Sequence, residues 1–405
     1  MRAITFEAPI PRYLVTRVAG AISDSLYVGA HACTRYREVA APELPGDDWV
    51  RVRTRLGGIC GSDSNIITLG ASPSASPFSS FPFVLGHENV GDVAELGRGV
   101  RDFAVGERVV VNPLLCCEPR GIVPPCAACT AGQHSRCAHF TDGALAPGMF
   151  IGTTRGVGGS WGEWFVAHRS QLVRVPDSTS DAEAVLTEPL ACCVHAAHRA
   201  LPAAGERALV IGAGTMGLLQ AAALHAMAPG ATVTMLARHA FQGAHAARLG
   251  AARTVLARGD YLAELADAAG TRLLQPILGR PIGVGGFDVT FVCVGGVRGV
   301  EDALRSTRQG GTIVLLGNAS TLRGLDWTPL WLKELTLAGT LAYGAHGHGG
   351  ASTSAFAAAA AMIATRRVSL AGLVTHEFTL AEHRRALATA RERDGSGSVK
   401  VVFKP

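Results

Sequence analysis

Ala208-Leu-Val-Ile211 runs without a break into Gly212-Ala-Gly214-Thr215-Met216-Gly217 and then into an apolar helical stretch, Leu218 to Met227. No other part of the chain constrains the fold as much. Glycines at these spacings permit a tight turn, close approach of the backbone to a pyrophosphate, and tight packing of helix on strand. The N-terminus of the helix that follows offers N–H groups and the positive end of its dipole to the phosphates. Strand, turn and helix in succession predict a dinucleotide site with Gly212, Gly214, Thr215, Met216 and Gly217 against the cofactor. Compact apolar runs at Thr232–Leu236, Asp288–Val292 and Thr312–Leu316, separated by Ala-rich helical stretches, extend this to a parallel, doubly wound α/β sheet covered on both faces.

The second of these strands bears on which dinucleotide is bound. NAD sites usually place a carboxylate about 20 positions beyond the last glycine, where it accepts from the ribose 2′-OH. Here Ala237 stands in that place, followed by Arg238 and His239. A guanidinium attracts the 2′-phosphate that a carboxylate would repel, so Arg238 and His239 predict NADP(H) in preference to NAD(H).

Residues 1 to about 185 have another texture, rich in Val, Gly and Pro and broken into short runs. Trp49-Val-Arg-Val-Arg-Thr54 alternates with period two and Glu107–Val111 reads as another strand, which predicts a β-barrel-like domain. Two segments of it, Gly57-Gly58-Ile59-Cys60-Gly61-Ser62-Asp63 and Gly86-His87-Glu88, offer a thiolate and an imidazole across a Ser/Pro-rich loop, Ala71 to Pro82. Sulfur with nitrogen in a non-redox site suits Zn²⁺, as a catalytic ion if only three protein ligands close on it.

Five of the ten cysteines fall between Cys116 and Cys137. Cys126-x2-Cys129-x7-Cys137 supplies three thiolates at zinc-knot spacing, and Cys117 is taken as the fourth. Spacing alone does not separate it from Cys116, and His134 and His139 are further alternatives. Four sulfur ligands leave no open position, so this second ion is expected to stabilise a loop.

Composition excludes several other classes. Of 405 residues 48% are hydrophobic, enough for large cores, and the net charge of +5 comes from scattered Arg with no run of five like charges. A nucleic-acid stripe or polybasic membrane segment is therefore not expected. Glu7 and Pro9 interrupt the start where a secretory segment needs apolar residues, and no segment has 18 apolar residues in a row. A soluble cytoplasmic protein with reduced cysteines is expected.

Gly-Ile-Cys60-Gly-Ser-Asp63, Gly86-His87-Glu88, the cysteine knot, Glu188-Pro189-Leu190, Gly212 to Gly217 and the closing Lys400-Val-Val occur in this order across nearly the whole length. Together they resemble the zinc-containing medium-chain dehydrogenase/reductase family, in its alcohol, sorbitol and threonine dehydrogenase group. The resemblance implies a GroES-like catalytic domain, residues 1–188 and 340–405, interrupted by a Rossmann domain, residues 189–339, with zinc in the cleft between them. It also implies homodimers or homotetramers. By the same resemblance Cys60 and His87 are ligands of a catalytic zinc, and Glu188 is a third ligand, direct or through water. Glu88 is a carboxylate able to enter or leave that shell, and Ser62 is the hydroxyl that links the substrate to a proton relay.

The implied activity is reversible hydride transfer between NAD(P)(H) and a small alcohol or carbonyl, with zinc as the Lewis acid, two zinc ions per chain, and reduction favoured if NADPH is the cofactor. Three departures stand out. Asn65, where many relatives carry His, cannot titrate; Cys117 to Cys126 is longer than the usual ligand spacing; and the segment before Cys60 is long. One alternative is a zinc-containing reductase of an iminium or conjugated alkene. Another is a non-catalytic NADPH-binding regulatory protein, against which Cys60, His87, Glu188 and Ser62 argue. Trp161, Trp164, Trp327 and Trp331 are read as packed in a core or a subunit interface, with the lining of a substrate pocket as the alternative; His195 is read as packed and not catalytic, and Cys192 and Cys193 are not read as ligands.

Overall fold

The alternating run that begins at Trp49 forms the strand Trp49–Gly58 in the computed structural model, which describes residues 1–348 and 351–405. The chain divides into two compact units. One comprises Met1–Glu188, Tyr343–Ala364 and Leu370–Pro405; the other comprises Pro189–Ala342 and Thr365–Ser369.

In the first unit Trp49–Gly58 is the central member of a sheet. Among the described residues the order is Val374–Thr379, Lys400–Lys404, Trp49–Gly58, Glu88–Leu96, Arg108–Val111 and Leu172–Arg174, with Trp164–His168 also paired to the central strand. The chain's last strand thus lies beside the segment that carries Cys60. Alternation along these strands feeds two cores. One gathers Ile4, Phe6, Leu85, Trp161 and Phe403, and the other gathers Val50, Val52, Val109 and Phe165. Trp161 is fully buried, donates from Nε1 to the Gly58 carbonyl at 2.9 Å, and meets the Phe403 ring edge-on at 4.9 Å, which makes it a packing residue.

In the second unit every strand of the main sheet is parallel to its neighbours. The order is Arg253–Leu256, Thr232–Ala237, Arg207–Ile211, Phe287–Val292, Thr307–Leu315 and Thr336–Gly339. The chain builds outward from Arg207–Ile211 in one direction and then returns to build from its other side. That reversal is a topological switch point, where open α/β sheets bind ligands at the carboxyl ends of their strands. The strand expected from Thr312 begins at Thr307, because residues before Thr312 are taken up in a register shift against Phe287–Val292.

His195 is buried, whereas Trp327 and Trp331 are exposed and so are not packed in the core of the chain. A helix, Ile10–Ile22, occupies the long segment before Cys60; its aliphatic residues recur at helical spacing but face outward and not into a core. No helix among the described residues is long and apolar enough to cross a membrane.

Candidate active site and cofactor cradle

Cys60 and His87 lie 27 positions apart in sequence, and one antiparallel ladder brings them together. Trp49–Gly58 pairs with Glu88–Leu96 so that Gly58 stands opposite Glu88. Cys60 follows the end of one strand by two residues, and His87 immediately precedes the other. A Cβ at Gly58 would stand 1.9 Å from Oε2 of Glu88, so only glycine lets that carboxylate lie across the strand end. The loop from Ala71 to Pro82 is the excursion between the two strands. Among the described residues Cys60, His87 and Glu88 present ligand atoms that all lie within 4.8 Å of one another.

Two further groups, neither named from the sequence as site residues, fix these donors. Asp63 is fully buried in the first turn of the helix Gly61–Ile67, where its Oδ2 accepts from Cys60 N at 2.9 Å. Its Oδ1 has no hydrogen-bond partner and lies 3.4 Å from Nδ1 of His87. The carboxylate thus faces Nδ1 and favours the proton there, which leaves Nε2 as the ring's ligand atom, the arrangement typical of metal-ligating histidines. Burial pulls the His87 pKa down, but the facing Asp63 carboxylate and Cys60 outweigh it and hold the pKa well above its usual value. Lys400, buried on the last strand, pairs with Glu88 and donates from Nζ to the Ile59 carbonyl at 3.0 Å. The spacing signal for Asp63 was present, a carboxylate three residues after Cys60 at a helix start. Lys400 stood out in the sequence only as part of the closing Lys400-Val-Val, and no local signal pointed to its pairing with Glu88, 312 positions away by number.

Ser62 is half-buried on the same helix as Asp63, and Asn65 follows one turn later. Glu188 is buried near the start of the helix Thr187–Arg199, but its carboxylate is not among the three groups that cluster within 4.8 Å. A thiolate, an imidazole backed by a carboxylate, and an acidic oxygen form a donor set suited to zinc.

The second cluster is all sulfur. Cys117, Cys126, Cys129 and Cys137 hold their Sγ atoms within 4.8 Å of one another, with Cys117 and Cys137 at 3.5 Å. Cys116, His134 and His139 lie outside it; His139 turns instead to Asp142 at 2.8 Å. Backbone N–H groups serve the sulfurs: Cys126 N donates to Cys117 Sγ and His139 N to Cys137 Sγ, each at 3.4 Å. N–H groups of Ala138 and Cys129 push the Cys126 thiol down to about 6. The long Cys117–Cys126 segment is held by its own Arg120. This fully buried guanidinium donates to the carbonyls of Leu115, Asp142, Leu145, Ala146 and Gly148.

In the second unit Gly212 adopts φ 98° at the end of Arg207–Ile211, and a Cβ there would stand 2.5 Å from Val294 Cγ1. Gly214 caps the helix Thr215–Met227, so the turn and helix start stand as expected. Ala237 is buried at the end of its strand. Arg238 is exposed and makes no ion pair or hydrogen bond among the described residues. The His239 ring stacks on Phe241 at 5.8 Å.

Residues 46–177 match the alcohol dehydrogenase GroES-like domain, and residues 216–365 match the zinc-binding dehydrogenase domain. The chain belongs to the zinc-containing medium-chain dehydrogenase/reductase family. It is 27% identical to the L-idonate 5-dehydrogenase of Vitis vinifera over 87% of each chain. It is 28% identical to the sorbitol dehydrogenase of Ovis aries over 94% of this chain and 96% of that one. A zinc-binding dehydrogenase from Sinorhizobium meliloti 1021, bound to NADP, superposes with a TM-score of 0.71 at 27% identity, covering 92% of this chain and 96% of its own. The family carries zinc and a nicotinamide cofactor, and this member is a zinc-dependent alcohol oxidoreductase.

Proposed function

We propose that this dehydrogenase interconverts a small alcohol and its carbonyl with NADP(H), in the reducing direction, and that each chain holds two zinc ions in different roles. The reading rests above all on one observation: the Cys60–His87–Glu88 cluster mixes donor types and already has a buried carboxylate behind its imidazole. Zinc bound there supplies the Lewis acidity that polarises a substrate oxygen. Cys60 and His87 hold it, and Glu88 or Glu188 completes the shell. Asp63 keeps the proton on Nδ1 of His87, and Ser62 Oγ carries the substrate proton. Asn65 has no titratable group, so the proton leaves Ser62 toward solvent without a histidine at that position. The four thiolates hold the second ion and fix the loop around Arg120.

The NADP(H) preference rests on Ala237 and the unpaired Arg238, and is supported by the NADP-bound relative. The relatives named for sorbitol and idonate put polyols, sugar acids and their ketones first in a substrate screen. The test follows NADPH and NADH absorbance with matched alcohol and carbonyl pairs, alongside cofactor binding to the native protein and to Arg238→Ala. A charge-assisted contact of about 1.5–3 kcal/mol corresponds to roughly one to two decades tighter NADPH binding, erased in the variant. Equal or tighter binding of NADH by the native protein would overturn the preference.

A further inference from the structure

The helix Ile10–Ile22 turns small residues inward and bulky aliphatic ones outward, the reverse of an ordinary surface helix. Its inner face is firmly seated. Thr16 Oγ1 accepts from Cys33 N at 2.9 Å and approaches Cys33 Sγ at 3.4 Å, while the Tyr27 ring fills the space beside Gly20. Arg12 ties the helix start to the carbonyls of Ala30 and Ala32 at 3.1 and 3.2 Å. What the helix presents outward is therefore a fixed surface.

That surface is a ridge at spacing four: Ile10, Leu14, Val18 and Ile22 are 77%, 55%, 66% and 80% exposed, with Val15 beside them at 53%. One exposed aliphatic residue needs no explanation, but a contiguous row marks an interaction site. The row is also symmetric about its own middle. Reversed end to end, Ile10 falls opposite Ile22, and Leu14 opposite Val18. A twofold contact requires a patch complementary to itself, and ridges of this spacing on two helices interdigitate at a crossing angle of about −50°.

The one charge on this face, Arg17, falls opposite Val15 of the partner subunit in that arrangement. Its aliphatic stem can lie along the valine while the guanidinium stays in water. The exposed side chains amount to on the order of 600 Å² per subunit, close to the ~800 Å² per partner of a standard stable interface. A lipid surface fits less well, because interfacial helices carry Trp or Phe on the apolar face and cations along its border, and this face has no aromatic ring and no lysine. We infer that the helix Ile10–Ile22 is an interface between copies of this chain, packing antiparallel on the same helix of a second copy across a twofold axis.

Light scattering and sedimentation of the full-length holoenzyme test this. Leu14→Glu with Val18→Glu places four carboxylates at the axis and is expected to halve the native mass. Both positions are exposed, so circular dichroism and the melting curve should be retained at low concentration. Leu14→Ser with Val18→Ser adds no charge and should shift the association equilibrium the same way by at least tenfold, whereas Arg17→Ala should keep the native mass. A monomeric native protein, or an unchanged mass in the Glu variant, overturns the inference. So does co-sedimentation of the native protein, but not the Glu variant, with phosphatidylcholine–phosphatidylserine vesicles, which would assign the face to lipid.

Discussion

The two ligand clusters of the first unit are built on opposite principles. Cys60, His87 and Glu88 form a mixed set held by other charged side chains, Asp63 behind the imidazole and Lys400 against the carboxylate. Cys117, Cys126, Cys129 and Cys137 form a uniform set whose sulfurs accept from backbone N–H groups, with the surrounding loop tied by Arg120 to five carbonyls. A mixed set with a displaceable oxygen ligand can open a coordination position, and a closed thiolate set cannot. On the proposed reading, reactivity depends on balancing nearby buried charges, while loop stability depends on backbone geometry.

The sharpest way to break this contrast is to remove one donor from each cluster. Cys60→Ala or His87→Ala should lower turnover by about 10³-fold or more, since a Lewis-acid metal is worth several kcal/mol, and should leave NADPH binding nearly intact. Cys129→Ala should instead cost soluble yield and melting temperature. Zinc analysis should give two ions per chain in the native protein, with a chelator removing one along with activity. If both kinds of variant lose activity only in proportion to folded protein, the two clusters do not differ in role.

Charge balance comes next in size. Lys400 and Glu88 are both almost wholly buried, so Lys400→Met leaves a carboxylate without its counter-ion inside the protein. Breaking a buried pair by removing one member costs about 3–5 kcal/mol, readable as a shift in the denaturant midpoint. Replacing both, with Glu88→Gln added, should recover most of that loss, because the pair is coupled. A double variant no more stable than the single one would mean that Lys400 acts through Ile59 and not through Glu88.

The two sites were unevenly legible in the sequence. Cys126, Cys129 and Cys137 are local, so spacing alone brought them together, and Cys117 followed. Gly212 to Gly217 were legible because strand, turn and helix are contiguous. Cys60 and His87 were recognisable as donors, but the reason they meet is the register that sets Gly58 against Glu88, which no local pattern encodes. Lys400 reaches the site only because the last strand lies beside Trp49–Gly58. The burial of Arg120 and the outward apolar side of the helix Ile10–Ile22 were missed for a related reason. A buried Arg among carbonyls and a helix with its apolar side outward both run against the usual rule linking hydropathy to burial.

Asp63 offers a smaller test of the mixed cluster. Asp63→Asn keeps the shape and removes the charge facing Nδ1 of His87, so zinc affinity at that site should fall about 10–100-fold, with the sulfur site unaffected. Competition with a chromogenic chelator reads both sites in one titration. Equal loosening of the two ions would mean that the substitution disturbs the fold and not the imidazole.

The smallest expected effect separates adjacent cysteines. Cys116 is buried next to Cys117 but lies outside the four-sulfur cluster, and burial raises its thiol pKa, as expected of a packed side chain that stays protonated. Cys116→Ala removes only a small packed group, so it should cost about 1 kcal/mol and leave two zinc ions per chain. Cys117→Ala removes a sulfur that sits 3.5 Å from Cys137 and accepts from Cys126 N, and it should lose one ion along with the order of the loop. Metal content measured after gel filtration distinguishes the two. Because the residues are neighbours of the same type, any difference between the variants reports which sulfur closes the tetrahedron, and a loss of zinc from Cys116→Ala with retention in Cys117→Ala would exchange their roles.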